Sequence, residues 1–176
     1  MRLVTCQAYS VYEKILRDGF HACNIKESPT ADIYIGHYDY IVESLSEKVA
    51  KPAGVTHPIW AYYKPPKDYD YTQHGAEGEL NVYFELEVPD EEVLLINPYN
   101  WDKVVFDGFV FDDEISLEEY DKLVEHYAAN PEELEANWRK VFDVDDSLDE
   151  IQAVFWVLDQ SYIQKTVVYT THLPND

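Results

Sequence analysis

The chain has 176 residues, 46% of them hydrophobic and 15% aromatic, which is apolar material enough for a packed core and excludes a disordered polypeptide. Thirteen Lys and Arg stand against thirty-five Asp and Glu, a formal net charge of −22. Such a chain is repelled by nucleic-acid backbones and anionic membranes, so direct nucleic-acid binding and membrane binding are not expected.

The chain opens on Leu3 to Gln7, a first strand in which Cys6 reads as a buried, reduced thiol. Val11 to Arg17 has the spacing of a short amphipathic helix, with Ser10 as a candidate cap and Gly19 as its stop. Phe20 to Lys26 is ambiguous, and Ser28-Pro29-Thr30 is a turn. His37 to Val49 carries Tyr38, Ile41, Val42, Leu45 and Val49 at helical spacing, and Lys51-Pro52-Ala53-Gly54 ends that helix. Pro58 to Tyr63 is a second strand, followed by a polar loop with Pro and Gly from 65 to 78, long enough to suggest mobility or function.

Val82 to Val88 alternates Val82, Phe84, Leu86 and Val88 on one face with Tyr83, Glu85 and Glu87 on the other, the period of a half-buried strand. Pro89-Asp90-Glu91-Glu92 is turn chemistry, and Val93 to Ile96 is a continuous apolar run, so the block predicts a hairpin. Asn97-Pro98 is a helix cap with a first-turn proline, opening a short helix to Phe106. Asp107 to Glu114 is an acidic turn. Ser116-Leu117-Glu118-Glu119 is a capping box for a helix to about Ala129. Asn130-Pro131 caps another that ends near Phe142, and Gln152 to Leu158 and Thr166 to Thr171 are the last strands. This order predicts a single α+β domain over residues 1–176, with a mixed or antiparallel β core, flanking helices and no βαβ repeat. The expected core is Leu3, Ile41, Leu45, Ile59, Phe84, Leu86, Leu94, Ile96, Phe155, Val157 and Val168.

Few constellations of the familiar chemistries are present. Cys6 and Cys23, the only cysteines, form neither a CxxC pair nor a zinc spacing. The six histidines show no HxH or HExxH grouping, so no metal site is predicted. The acidic run 143–150 lacks the central glycine and the terminal-glutamate spacing of an EF-hand calcium loop and reads as a solvated loop. Glycine-rich phosphate loops and GxSxG elbows are absent. The first residues lack an apolar leader and no run approaches a membrane span, so a reducing cytoplasm is the expected compartment.

The strand around Pro58-Ile59-Trp60-Ala61-Tyr62-Tyr63 carries aromatics on both faces. It fits a central strand covered on both sides. A further reading is a stacking wall for a nucleobase or nicotinamide ring, with Lys64 supplying local positive charge for an anionic ligand.

Val4-Thr5-Cys6-Gln7, His37-Tyr38-Asp39-Tyr40, Pro58 to Tyr63, the Glu85 to Trp101 block and Ile151 to Trp156 together resemble a bacterial protein family described as a domain of unknown function. The stretch after Trp101 departs from that pattern in being shorter and more acidic. More distantly, the order of elements looks like the ADP-ribosyltransferase fold. That likeness implies an NAD site between the first two strands of the sheet. It places Gln152 where the superfamily has a catalytic glutamate, and so implies weak or absent transferase activity. It also brings Thr5, Gln7, Trp60, Tyr62 and Gln152 to one cleft, with Lys64 at its edge, for NAD or a related nucleotide. The charge of −22 supports a different reading: a non-enzymatic acidic protein that binds a basic protein partner by mimicking nucleic acid.

Overall fold

Leu3, Thr5 and Gln7 alternate with Val4 and Cys6 along Arg2–Ala8 (β1), a strand that lies in the interior of the main sheet. The computed structural model describes residues 1–24, 31–112 and 114–172, with residues 31–36 described by backbone alone. They form an α+β fold, in which the strands with assigned register pair antiparallel. The chain divides into two compact units, Met1–Leu95 with Asp149–Asp176, and Ile96–Leu148.

In the first unit β1 runs straight into Tyr9–Asp18 (α1). The strand ends at Ala8, which is itself the N-cap and makes no side-chain bond, so Ser10 lies inside the helix rather than capping it. Gly19 closes α1 at φ 84°, a left-handed position that suits glycine, and its N–H donates to Ile15 O at 2.8 Å. Ile15 is fully buried. Phe20–Ala22 (β2) follows, then Ala31–Lys48 (α2), Ile59–Lys64 (β3) and Leu80–Glu87 (β4). The turn expected at Ser28-Pro29-Thr30 lies outside the described residues.

Leu94–Ile96 (β5) is not the hairpin partner of β4. The main sheet has the order β5-β6-β3-β1-β4-β8, where β6 is Ile151–Phe155 and β8 is Ile163–Thr170. Both edges of β4 are taken, by seven registered pairs with β1 and seven with β8. The chain leaves β4 through buried Val88, whose N–H donates to Met1 O, and a 3-10 turn at Asp90–Glu92 carries it to the opposite edge. The strand expected from Gln152 to Leu158 is likewise divided. Trp156, buried and donating Nε1–H to Val49 O at 3.0 Å, breaks it. Val157–Asp159 (β7) then pairs with β2 in a separate two-stranded sheet.

Direct pairing puts Leu3, Thr5 and Gln7 opposite Leu86, Phe84 and Val82, so these share one face. Leu3, Ile15, Ile59, Val82, Phe84, Leu86 and Phe155 form the core on that face. Burying each large side chain contributes roughly 1.5–3 kcal/mol. Ile41 and Leu45 of α2 are also buried, as expected. Val168 is not: it faces the core side opposite Val82, but β8 is an edge strand and leaves it 46% exposed. Leu94 and Val157 are half-buried because each lies in a short, peripheral strand.

The second unit holds Pro98–Asp107 (α3), Leu117–Ala129 (α4) and Pro131–Trp138 (α5). Asn97 caps α3 by accepting from the N–H groups of Tyr99 and Asn100 at 3.1 and 3.3 Å. Ser116 and Glu119 close the expected capping box, with Glu119 N–H donating to Ser116 Oγ and Ser116 N–H to the Glu119 carboxylate. Asn130 makes no side-chain cap to α5; its amide turns back to His126 O at 2.8 Å and closes α4 instead. A 3-10 segment, Arg139–Phe142, continues α5 to the expected end. Buried Asn137 holds this unit's interior, accepting from Val110 N–H at 2.7 Å and donating to Val110 O at 2.9 Å. Phe109 packs beside it against Tyr120 and Tyr127.

Candidate functional site

The first unit's site arises from a defect in the sheet. β1 meets β4 along its full length, but meets β3 at a single registered pair, Val4 with Tyr62. Beyond that pair the two strands part. Thr5 Oγ1 donates to Trp60 O at 2.8 Å, so a side-chain hydroxyl serves a carbonyl beyond that pair. Gln7 Nε2 in turn donates to Thr5 Oγ1 at 2.9 Å.

A cavity of about 360 Å³ opens at this parting. Thr5, Gln7, Trp60, Tyr62 and Gln152, the residues expected to share a cleft, all line it. They reach it from two directions. Tyr62 pairs directly with Gln152, so those two share a face with Val4. Thr5 and Gln7 belong by alternation to the core face, and the gap between β1 and β3 lets both sets border one space. Lys64 is not among the lining residues. The register shifts after Tyr62, and Lys64 pairs with Ile151 beyond that bulge.

The wall also contains residues the sequence reading did not single out as site residues: Cys6, His21, Cys23, Tyr69 and His74. Tyr69 and His74 come from the loop 65–78, whose length and composition had marked it as functional or mobile. The loop is tied down at several points. Asp70 accepts from Thr72 N–H and Oγ1–H, Tyr71 stacks on Tyr83 at 4.5 Å, and Tyr69 meets Tyr62 edge-on at 5.1 Å. His74 O accepts from Thr171 Oγ1 at 2.6 Å, Asn81 Nδ2 at 3.3 Å and Tyr169 OH at 3.3 Å. Gly75 then takes φ 102°, where an added Cβ would overlap the Asn81 side-chain nitrogen. The loop is therefore a pinned wall of the cavity.

The wall carries no permanent charge. None of its lining residues is Lys, Arg, Asp or Glu. Burial pushes the Cys6 thiol up, despite hydrogen bonds with the Tyr169 and Tyr69 hydroxyls that work the other way. Burial also pushes the Tyr69 hydroxyl far up, helped by Cys6, and holds His74 below the ordinary histidine value. The cavity thus presents rings, neutral amides, one hydroxyl and protonated thiol and phenol groups. Behind it, His57 is buried against Tyr38, and neither ring nitrogen has a hydrogen-bond partner among the described residues.

Among the described residues no group of three or more His, Cys, Asp or Glu is placed to hold a metal ion. No helix among them is long and apolar enough to cross a membrane. Neither the comparison with curated proteins nor that with solved structures found a match. A family model matches residues 2–164, nearly the whole chain and both of its compact units, and the chain belongs to that family, described as Domain of unknown function (DUF3841).

Proposed function

We propose that the chain is a small-molecule binding domain whose cavity takes the heterocyclic ring of a nucleotide-class ligand, NAD among them. The observation that carries this reading is the convergence of Thr5, Gln7, Trp60, Tyr62 and Gln152, from three strands, on one cavity. Its volume lies within the range of small-molecule sites, and aromatic walls with a few placed polar groups are their usual composition. The ligand-binding residues in this reading are Thr5, Gln7, Trp60 and Tyr62, with Gln152 at the ribose; Lys64, outside the lining, has no direct role in it.

Glutamate-dependent transfer of ADP-ribose from NAD is weak or absent in this reading. Gln152 carries no negative charge, and neither Asp149 nor Glu150 lines the cavity. Nothing in the wall therefore offsets the positive charge that develops as a nicotinamide bond breaks. Cys6 and Cys23, which are thiols and not a disulfide, fit a reducing compartment such as the cytoplasm. Binding is tested by thermal shift with NAD, ADP-ribose and nicotinamide: a ligand that occupies the native cavity raises the melting temperature by mass action. If none of them, nor any nucleoside, moves the transition, this reading falls.

A second reading has its own observation. Ile96–Leu148 contains fifteen Asp and Glu against four Lys and Arg, and its α4 displays Glu118 with the side chain 81% exposed. This unit would serve as an acidic docking surface for a basic protein partner. Such binding weakens steeply with added salt and is indifferent to nucleotides.

A further inference from the structure

Resting on the reading of the cavity as a nucleotide-class site, we infer that it selects the uncharged members of that class, nucleosides and their bases, over phosphorylated ones. The wall has no Lys or Arg to meet a phosphate and no Asp or Glu to hold a metal that could bridge to one. Lys64 is turned out of the lining set by the bulge after Tyr62, and Lys67 is exposed in the loop beyond. A phosphate drawn into this space would lose its hydration with only the imidazoles of His21 and His74 to meet it, and burial disfavours the charged form of His74, so the loss is costlier than that of a hydroxyl's hydration. The protein's net charge of −22 adds a repulsion that acts on a phosphate before contact.

A neutral ring with a sugar meets none of these costs. Trp60, Tyr62 and Tyr69 supply aromatic edges and faces. Gln7 and Gln152 each offer an amide, donor and acceptor together, which matches the donor and acceptor pattern on a base edge or a pair of sugar hydroxyls. Thr5 Oγ1 donates to Trp60 O and accepts from Gln7 Nε2, so it orients the Gln7 amide and keeps one lone pair to accept from a ligand. The cavity, about 360 Å³, stands at the small end of ligand sites, which suits a nucleoside better than a dinucleotide.

The test is titration calorimetry with adenosine, inosine, guanosine, cytidine and uridine, each beside its own diphosphate, and with NAD. At least one nucleoside is expected to bind about tenfold or more tightly than its diphosphate. Its affinity should be indifferent to salt, whereas the diphosphate should gain as salt screens the repulsion. Gln152→Lys, which adds one positive charge to the wall, should narrow or reverse the preference. If that variant does not fold, the salt comparison on the native protein decides alone. A diphosphate or NAD bound more tightly than every nucleoside would overturn this inference and leave the binding reading standing. Silence from the entire series would overturn both.

Discussion

Thr5 and Trp60 are joined by a hydrogen bond from the Thr5 hydroxyl to the Trp60 carbonyl, 2.8 Å long, at the point where two central strands separate. Thr5 is 3% exposed, so its side chain is largely shielded from bulk water. It holds the rim of the cavity in place and orients Gln7 through a second bond of 2.9 Å. Replacing Thr5 by Val keeps the shape but strands both partners. The expected cost is about 1–3 kcal/mol in denaturant unfolding, with Thr5→Ser recovering most of it. Equal stability of the Val and Ser variants would show that the hydroxyl does not hold the rim.

Gly75 is the glycine whose replacement should hurt most. At φ 102° a side chain is strained, and its Cβ would overlap Asn81 and press on Thr171 Oγ1 at 3.0 Å. Gly54 has a similar φ of 83° with nothing within 4 Å, and so serves as the control. Gly75→Ala is expected to destabilise by roughly 2 kcal/mol more than Gly54→Ala and to lower ligand affinity, because the loop carries Tyr69 and His74 into the wall. Matching losses for the two variants would mean that the loop yields freely at Gly75.

Acid should weaken the fold through His57 and His74. Burial depresses both below the ordinary value of 6.5; at His57 Asp39 opposes the shift and Lys51 adds to it, and at His74 Asp70 opposes it. Between the depressed folded value and 6.5 the unfolded chain binds more protons than the folded one. Stability is therefore fully present above 6.5 and falls as the pH drops toward the folded value. His57→Phe removes two unpartnered ring nitrogens and one of the two titrations. It should flatten the acid limb of a melting-temperature profile between pH 7 and pH 5 without loss at neutral pH. An unchanged limb would place the acid sensitivity elsewhere.

Gln152→Glu introduces an acid directly opposite Tyr62. If the cavity takes NAD, this change should create or raise nicotinamide release over a native protein that has little. Brisk cleavage by the native chain would contradict the neutral-wall argument. Release by neither form, together with no NAD-induced thermal shift, would remove NAD from the ligands considered.

In the second unit Asn137 should be the most sensitive polar residue. It is 5% exposed and closes both backbone groups of Val110 while donating to Tyr127 OH. Asn137→Ala leaves those buried groups unpaired and should cost roughly 2 kcal/mol or more. Asn137→Asp should cost at least as much, since it adds a buried charge and loses the donor. A surface-like change below about 0.5 kcal/mol would contradict this role.

Local chemistry alone determined most of the elements. Alternation marked Val82 to Val88, the capping box marked the start of α4, and Asn97-Pro98 marked α3, because each depends on neighbours a few residues away. The same patterns cannot say which strand lies beside which. β4 and β5, adjacent in sequence, lie on opposite sides of the sheet because β1 and β8, distant in sequence, already occupy both edges of β4. Trp156 breaks an apparently continuous strand because its indole is anchored to Val49, over a hundred residues away. The candidate site divides in the same way. Residue type marked the aromatic strand with Trp60 and Tyr62, and the likeness in element order to the ADP-ribosyltransferase fold implied that Thr5, Gln7 and Gln152 join them. The parting of β1 from β3, the displacement of Lys64 from the lining and the arrival of Tyr69 and His74 from the loop depend on long-range pairing. Those features fixed the charge of the wall, and charge is what separates one ligand class from another.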